Sequence, residues 1–175
     1  MTDGPRILVF TGEGKGKTTA ALGMAVRAAG HNLPALIVQF IKADDTTGEL
    51  AALQRMGGVE IRQVGRGFVP SPASPAFAEH RAAAVKGLGD AKEAMEAGRH
   101  RMVILDEVCT AVAKGLLSEA SVVAAVRSAL AGSIVVLTGR GASAGLIEMA
   151  DTVTEMRCVK HGHQRGLKAL RGVEF

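Results

Sequence analysis

The chain has 175 residues, a length that suits one domain with a sizeable buried core. Hydrophobic residues make up 47% and charged residues 22% of the chain, as in an ordinary globular protein. The formal charge of +4 is a modest excess, and the chain has no Trp or Tyr and five Phe. Aromatic stacking platforms for single-stranded nucleic acid are therefore nearly excluded, and nucleotide phosphates explain the charge equally well. We expect no nucleic-acid partner.

The sequence contains no clear signal for a membrane span, for secretion or for a disulfide framework. No apolar run approaches the roughly 20 residues that a membrane span needs, and residues 1–5 do not have the layout of a signal peptide. Cys109 and Cys158 lie far apart and form no C-x-x-C pair, which argues against a zinc site and a disulfide framework. We expect a cytoplasmic location, no membrane partner and reduced thiols, with Cys109 as a small buried hydrophobe.

The strongest motif is a glycine-rich turn after four apolar residues at positions 7–10. An uninterrupted apolar run predicts a strand that is buried on both faces of a parallel sheet. Glycines then stand at every second position, at Gly12, Gly14 and Gly16, where backbone N–H groups can converge on phosphate oxygens. A helix predicted from about residue 17 adds free N–H groups and the positive end of its dipole. The motif predicts a phosphate-binding loop rather than a purely structural turn.

Three side chains of this loop have predicted roles. Lys17 neutralises phosphate charge, the Thr18 hydroxyl is a ligand for Mg²⁺, and the position of Lys15 favours a phosphate contact. The usual spacing of such loops places a glycine at position 11, but this chain has Thr11 there and a glycine one residue later. That displacement leaves open how the nucleotide lies in the loop.

Periodicity and turn residues predict the other elements and one parallel α/β domain over residues 1–175. Strands are predicted at 35–41, 59–64, 102–107, 133–138 and 152–156, and helices at 18–29, 47–56, 75–98, 118–130 and 146–150. Ser74 is predicted to cap the long third helix, with Pro75 as its first residue. Prolines exclude regular structure from the preceding loop, which contains one large apolar residue, Phe68.

Polar residues follow two of the later apolar runs. Asp106 and Glu107 end the run at 102–107, which is the Walker B pattern, and we expect Asp106 in the metal region. Glu107 is interpreted as a metal ligand, a residue that orients water, or a substrate contact. Arg140, after the run at 133–138, holds a phosphate or the second substrate, or is a surface charge.

The order of these motifs resembles that of the short P-loop ATP:corrinoid adenosyltransferases of cobalamin biosynthesis and salvage. The resemblance covers nearly the whole chain and includes the displaced glycine. Nine segments match in order, namely 11–19, 38–42, 48–49, 67–68, 105–107, 138–140, 150–156, 159–161 and 172–175.

This resemblance implies a RecA-like P-loop core, with a mainly parallel sheet and helices on both faces. It also implies that the 5′-deoxyadenosyl group of ATP is transferred to the cobalt(I) ion of a reduced corrinoid, with release of triphosphate. The corrinoid is cobalamin, cobinamide or cobyrinic acid diamide. Cobalt is the nucleophile, so catalysis consists of positioning ATP and stabilising the leaving triphosphate. ATP lies in a reversed sense in this family, so that C5′ faces the corrinoid.

The resemblance also assigns residues. Catalytic roles are implied for Lys17, Thr18 and Phe68, and a site for Mg²⁺ or Mn²⁺ for Thr18, Asp106 and Glu107. ATP contacts are implied for Thr11, Gly12, Glu13, Gly14, Lys15, Gly16, Lys17, Thr18, Thr19, Gln39, Lys42 and Arg140. The implied partners are a flavoprotein or other reductant that supplies cobalt(I), and a second copy of the chain in a homodimer.

Two departures from the family affect the corrinoid half of the site. Relatives have Trp where this chain has Pro70, and they begin with an extension where almost nothing precedes the first strand here. Those features help to expel the lower axial ligand of cobalt, so Phe68 is either the remaining apolar wedge or a packing residue. In the basic tail, His161 and His163 are interpreted as surface residues rather than as a metal site.

Other functions remain open at this point. A RecA-like ATPase that acts on nucleic acid or a partner protein would use Glu107 to polarise water. A small-molecule kinase would phosphorylate an acceptor, and a corrinoid carrier would retain its bound product. The products formed from ATP distinguish these hypotheses.

Overall fold

The computed structural model describes residues 4–44 and 46–173, and at positions 163 and 164 it describes the backbone alone. Its strands are β1 (Arg6–Thr11), β2 (Ala35–Gln39), β3 (Val59–Gln63), β4 (Met102–Asp106), β5 (Ile134–Thr138) and β6 (Thr152–Glu155). Its helices are α1 (Lys17–Gly30), α2 (Gly48–Met56), α3 (Phe77–Ala97), α4 (Val108–Ala113), α5 (Glu119–Arg127) and α6 (Ala144–Glu148), and a 3₁₀ helix spans Gly162–Arg165.

The strands form one sheet in the order β3-β2-β4-β5-β1-β6, and every neighbouring pair is parallel. Strand β5 therefore lies between β1, which leads into the phosphate loop, and β4, which ends at Asp106. Because parallel strands end at the same edge, all the polar residues that follow them meet there. The mainly parallel α/β fold predicted from the sequence is confirmed.

Helices cover both faces of the sheet. Successive residues of a strand point to opposite faces, and Leu36 and Ile37 of β2 accordingly belong to different core clusters. One cluster contains buried residues of α1 and α2, and the other contains those of α3, α4, α5 and α6. In α1 the buried residues facing the sheet are small, such as Ala21 and Ala25, so the helix that follows the phosphate loop packs closely against the sheet.

The predicted start of the long third helix is wrong by two residues. Helix α3 begins at Phe77, because the preceding residues form consecutive turns. The N–H of Ser74 donates to the carbonyl of Ser71, and the N–H of Phe77 donates to the carbonyl of Ser74. Serine side chains reinforce such turns, and Pro75 therefore belongs to a turn and not to the helix.

Other elements differ in extent or were not predicted. Strand β2 ends at Gln39, two residues early, and α4 follows β4 directly where the sequence analysis predicts no helix. All four residues of the edge strand β6 are exposed, unlike those of the central strands. Over the part of the chain that the structure describes, no helix is long and apolar enough to cross a membrane.

Candidate nucleotide-binding site

The phosphate loop is closed by its own lysine. Gly16 caps α1 with a left-handed backbone (φ 116°), so the lysine after it turns back toward the loop. The Lys17 ammonium donates to the carbonyls of Gly12 and Gly14, at 2.7 Å each, and the residue is only 6% exposed. The loop is therefore shaped around a buried positive charge before any ligand enters.

The charges around Lys17 partly oppose one another. Burial lowers the pKa of Lys17 below that of an ordinary lysine, since the charged form loses hydration. The Glu107 carboxylate raises that pKa, the Arg140 guanidinium lowers it and the Glu13 carboxylate raises it, in decreasing order of effect. A bound polyphosphate would add the negative charge that favours the protonated lysine.

The end of β6 supports the loop from behind. The N–H of Gly14 donates to the carbonyl of Met156 at 2.6 Å. A Cβ atom at Gly12 would lie 2.5 Å from the Met156 carbonyl oxygen, and one at Gly14 would lie 2.7 Å from the same oxygen and from that of Arg157. These two glycines are thus required by the neighbouring backbone, whatever they contribute to phosphate binding.

Three side chains hold the Asp106 carboxylate. Thr18 and Thr138 donate their hydroxyl protons to Oδ1, at 2.8 and 2.7 Å, and Gln39 donates its amide to Oδ2 at 3.0 Å. Asp106 is 1% exposed, so these donors replace the water that the carboxylate loses. The Thr18 hydroxyl keeps its lone pairs free while its proton is directed to Asp106.

This arrangement fits a magnesium ion carried by a nucleotide. A hydroxyl oxygen oriented by a carboxylate is a suitable hard ligand for Mg²⁺, with phosphate oxygens and water completing the shell. Within the described residues, no group of three or more His, Cys, Asp and Glu side chains is arranged to hold a metal. An ion held at this position would therefore have few protein ligands.

Glu107 has an unusual backbone conformation. Its φ of 62° is left-handed, which is uncommon for a residue other than glycine. Its N–H donates to the hydroxyl of Thr138 at 2.9 Å, and its carboxylate accepts from the hydroxyl of Thr110 in α4. The half-buried carboxylate is thereby held beside Lys17.

Arg140 pairs with an acidic residue of the loop. Its Nε lies 3.5 Å from Oε2 of Glu13, and both side chains are mostly exposed. An exposed ion pair of this kind contributes little to stability, so the guanidinium remains available to a phosphate. The backbone N–H of Arg140 donates to Thr110 Oγ1 at 2.9 Å.

A pocket of about 1100 Å³ lies over the loop. Ten of the predicted site residues line it, namely Glu13, Gly14, Lys15, Gly16, Lys17, Thr18, Thr19, Lys42, Glu107 and Arg140. Lys42 is paired there with Glu49 at 2.7 Å. The tail contributes His161, Gly172 and Val173, so it covers part of this pocket.

Other predicted residues lie outside the pocket lining. Gln39 is fully buried behind Asp106, and the Thr11 hydroxyl accepts from the N–H of Ala142 at 3.2 Å. Asp106 is buried and Gly12 is half-buried, while Phe68 is 91% exposed in the loop after β3. Glu174 and Phe175 of the last motif, and the side chain of His163, are outside the described part of the chain.

Sequence reasoning missed several residues of the site, among them Thr138, Thr110 and Gln63. Thr138 and Thr110 connect Asp106, Glu107 and Arg140, and Gln63 donates to Gln39 Oε1 at 3.0 Å and to the carbonyl of Asp44. The position of Thr138 at the end of a predicted strand was a usable signal. No such signal marks Thr110, whose helix was not predicted.

The fold and the site together define an α/β protein whose all-parallel sheet has, at one edge, a glycine-rich loop closed by a buried lysine. The family model of the ATP:corrinoid adenosyltransferases BtuR/CobO/CobP matches residues 3–175. The chain therefore belongs to the ATP:corrinoid adenosyltransferase family and is an enzyme.

Individual relatives agree with this assignment. The chain is 41% identical to a corrinoid adenosyltransferase of Pseudomonas aeruginosa, over 97% of this chain and 83% of that protein. It is 39% identical to the Escherichia coli K12 corrinoid adenosyltransferase, over 97% and 85%. The solved flagellar accessory protein FlaH of Methanocaldococcus jannaschii is similar with a TM-score of 0.57 and 12% identity, over 87% of this chain and 71% of that one, which shows the fold alone.

Proposed function

We propose that the chain transfers the 5′-deoxyadenosyl group of ATP to the cobalt(I) ion of a reduced corrinoid, with triphosphate as the leaving group. The cobalt–carbon bond forms with the electron pair of cobalt(I), and the C5′–oxygen bond breaks with its pair remaining on triphosphate. The observation that carries the proposal is a preformed anion-binding loop, closed by Lys17, in a member of the adenosyltransferase family. Cobalt supplies the nucleophile, so the protein must mainly bind and orient.

In this proposal the loop binds the triphosphate part of ATP. Negative charge grows on the bridging oxygen as the bond to C5′ breaks, and fixed positive groups stabilise it without reorganising. Lys17, the N–H groups at the start of α1 and Arg140 provide these groups, and Lys15 and Lys42 line the same pocket. Lys42 is partly neutralised by Glu49, so its contribution is expected to be smaller.

Mg²⁺, or Mn²⁺ in its place, would be held by Thr18, with Asp106 orienting that hydroxyl and Glu107 near the ion. When bound, the metal supplies charge neutralisation of the triphosphate. The residues of the chain prepare for this by directing the proton of Thr18 away from the pocket, toward Asp106.

The reversed orientation of ATP and the role of Phe68 are part of the proposal. The loop would grip the terminal phosphate, so that the ribose and C5′ point away from β1 toward the corrinoid. Phe68 belongs to the loop after β3, at the same edge of the sheet, and an exposed phenyl ring there is suited to an apolar contact with a large ligand.

The proposal extends to partners and location. We expect a homodimer, a flavoprotein or other reductant that supplies cobalt(I), one domain over residues 1–175 and a cytoplasmic location. Sedimentation equilibrium of the pure protein tests the dimer, and a monomer at all concentrations up to the working range of the assay would contradict it.

Analysis of the products tests the function. The protein is incubated with ATP, Mg²⁺ and chemically reduced cobalamin, and we expect an adenosylated corrinoid and triphosphate in equal amounts. ADP with phosphate would instead indicate an ATPase, a phosphorylated acceptor a kinase, and retained adenosylcorrinoid without turnover a carrier.

The variant Lys17→Ala is expected to lower transfer at least 100-fold, because the triphosphate loses its central cation. The matched control is Lys86→Ala, which removes an exposed lysine of α3 and should leave transfer unchanged. Near-normal turnover of Lys17→Ala would refute the proposed role of the loop.

A further inference from the structure

One hydroxyl links the side chain of one charged residue of the pocket to the backbone of another. Thr110 Oγ1 donates to the Glu107 carboxylate and accepts from the backbone N–H of Arg140 at 2.9 Å. A threonine hydroxyl has one proton to donate, and here that proton goes to a carboxylate that lines the nucleotide pocket. The loops after β4 and β5 are joined at this single atom.

The local backbone is built for this contact. Gly139 has a φ of 135°, and a Cβ atom there would lie 2.6 Å from the nitrogen and 2.9 Å from the hydroxyl oxygen of Thr110. Any other residue would push the loop after β5 away from α4. The glycine therefore lets the chain pass closely enough for the N–H of Arg140 to reach the threonine.

The side chain of Glu107 is directed by this hydroxyl and not by a backbone N–H of the helix that it caps. Glu107 is the N-cap of α4, a position where an acceptor side chain usually binds a backbone N–H of the first turn. No such capping bond forms here, and the carboxylate accepts from the side chain of Thr110 instead. The Glu107 carboxylate therefore lines the pocket, and the Thr110 hydroxyl holds it there.

We propose that Thr110 is a positioning residue that sets Glu107 and Arg140 at a constant spacing around Lys17 before ATP enters. The inference rests on the proposed roles of Glu107 and Arg140 in binding the triphosphate and its metal. Preset charges stabilise a leaving group without reorganising during the reaction, so losing the spacing affects the chemical step more than ATP binding.

Steady-state kinetics of two variants test this role. Thr110→Val keeps the shape but removes the hydroxyl, and we expect kcat to fall by about tenfold with KM for ATP within about twofold. Thr110→Ser keeps the hydroxyl and should restore kcat to within about twofold of the unmodified chain. The matched control is Thr152→Val on the exposed edge strand β6, with no expected change.

A second comparison separates positioning from general packing. In a Glu107→Gln background the charge to be positioned is gone, so Thr110→Val should lower kcat by a smaller factor than in the unmodified chain. Should Thr110→Val fail to fold, Thr110→Ala carries the same expectation.

Three outcomes would overturn the inference: unchanged kcat in the variant without the hydroxyl, equal losses in the valine and serine variants, or an equal loss in both backgrounds. Failure of the proposed function is distinguishable, because the unmodified chain would then form no adenosylated corrinoid, or Glu107→Gln would retain full activity.

Discussion

At the level of single residues, the main feature of the site is the charged side chain of Lys17, which is buried inside the loop. The Lys17 ammonium is held by two carbonyls of the loop, and burial lowers its pKa. When a phosphate enters, Lys17 exchanges its two neutral carbonyl partners for a group with a full negative charge. Lys17 therefore gains much more interaction energy from the ligand than an exposed lysine would. Anion binding and protonation of Lys17 are therefore coupled.

This coupling predicts a pH dependence. Since burial holds the pKa of Lys17 below that of an ordinary lysine, the ammonium is lost at lower pH than in an exposed lysine. Metal-free ATP should bind more weakly as the pH rises toward 10.5, the ordinary pKa of lysine, with proton uptake on binding over that range. Titration calorimetry in two buffers of different ionisation enthalpy measures both effects. An affinity that stays constant over this range, or a Lys17→Met variant with the same pH profile, would contradict the prediction.

A second prediction concerns Phe68 and the corrinoid substrate. Removing the ring in Phe68→Ala is expected to slow reaction with cobalamin by about tenfold, because an exposed apolar wedge is lost. Cobinamide has no lower nucleotide ligand to displace, so its reaction should change by less than about twofold. Initial rates with the two corrinoids at saturating ATP provide the measurement. Equal slowing of both reactions would remove Phe68 from this role.

At the level of elements, the phosphate loop depends on a strand that is distant in sequence. The carbonyl of Met156, directly after β6, accepts the N–H of Gly14, and the backbone there occupies the space where side chains at Gly12 and Gly14 would lie. The loop keeps its shape because β1 and β6 are paired in register, with Thr11 opposite Glu155. The exposed edge strand β6 thus helps to hold the loop of the candidate site in shape.

Two glycine variants test this dependence against a matched control. Gly14→Ala is expected to destabilise the fold by more than about 1 kcal/mol and to weaken ATP binding, because its Cβ would overlap two carbonyl oxygens. Gly23→Ala, on the exposed side of α1 with no atom within 4 Å of the added Cβ, should stabilise by about 0.5–1 kcal/mol. Urea unfolding followed by circular dichroism measures both. A Gly14→Ala variant as stable as the unmodified chain would show that β6 does not constrain the loop.

At the level of the whole molecule, the order of the strands assembles the site. Because β5 lies between β1 and β4, its last residue, Thr138, stands between the phosphate loop and Asp106 and bonds to both acidic residues at the end of β4. The tail returns over the same edge and lines the pocket. The nucleotide site therefore depends on segments from both ends of the chain.

This dependence predicts cooperative behaviour. The chain should unfold in one transition, with the same midpoint by circular dichroism and by calorimetry. Tripolyphosphate at about 100 times its dissociation constant should add about 2.7 kcal/mol to the free energy of unfolding. The increase should be absent in Lys17→Ala. Two separate transitions would contradict the single domain that the sequence predicts.

The strands, most helices and the loop with Lys17 and Thr18 could be predicted from the amino-acid sequence, because periodicity, glycine spacing and buried apolar runs are local properties. It also placed Asp106 and Arg140 at strand ends. Three contacts became visible in the folded chain: Gln39 lies behind Asp106, Thr110 joins Glu107 to Arg140, and the segment after β6 supports the loop. They join residues far apart in the chain, or on a short helix with no clear sequence signal. They follow from the order of the strands in the sheet, which local patterns do not encode.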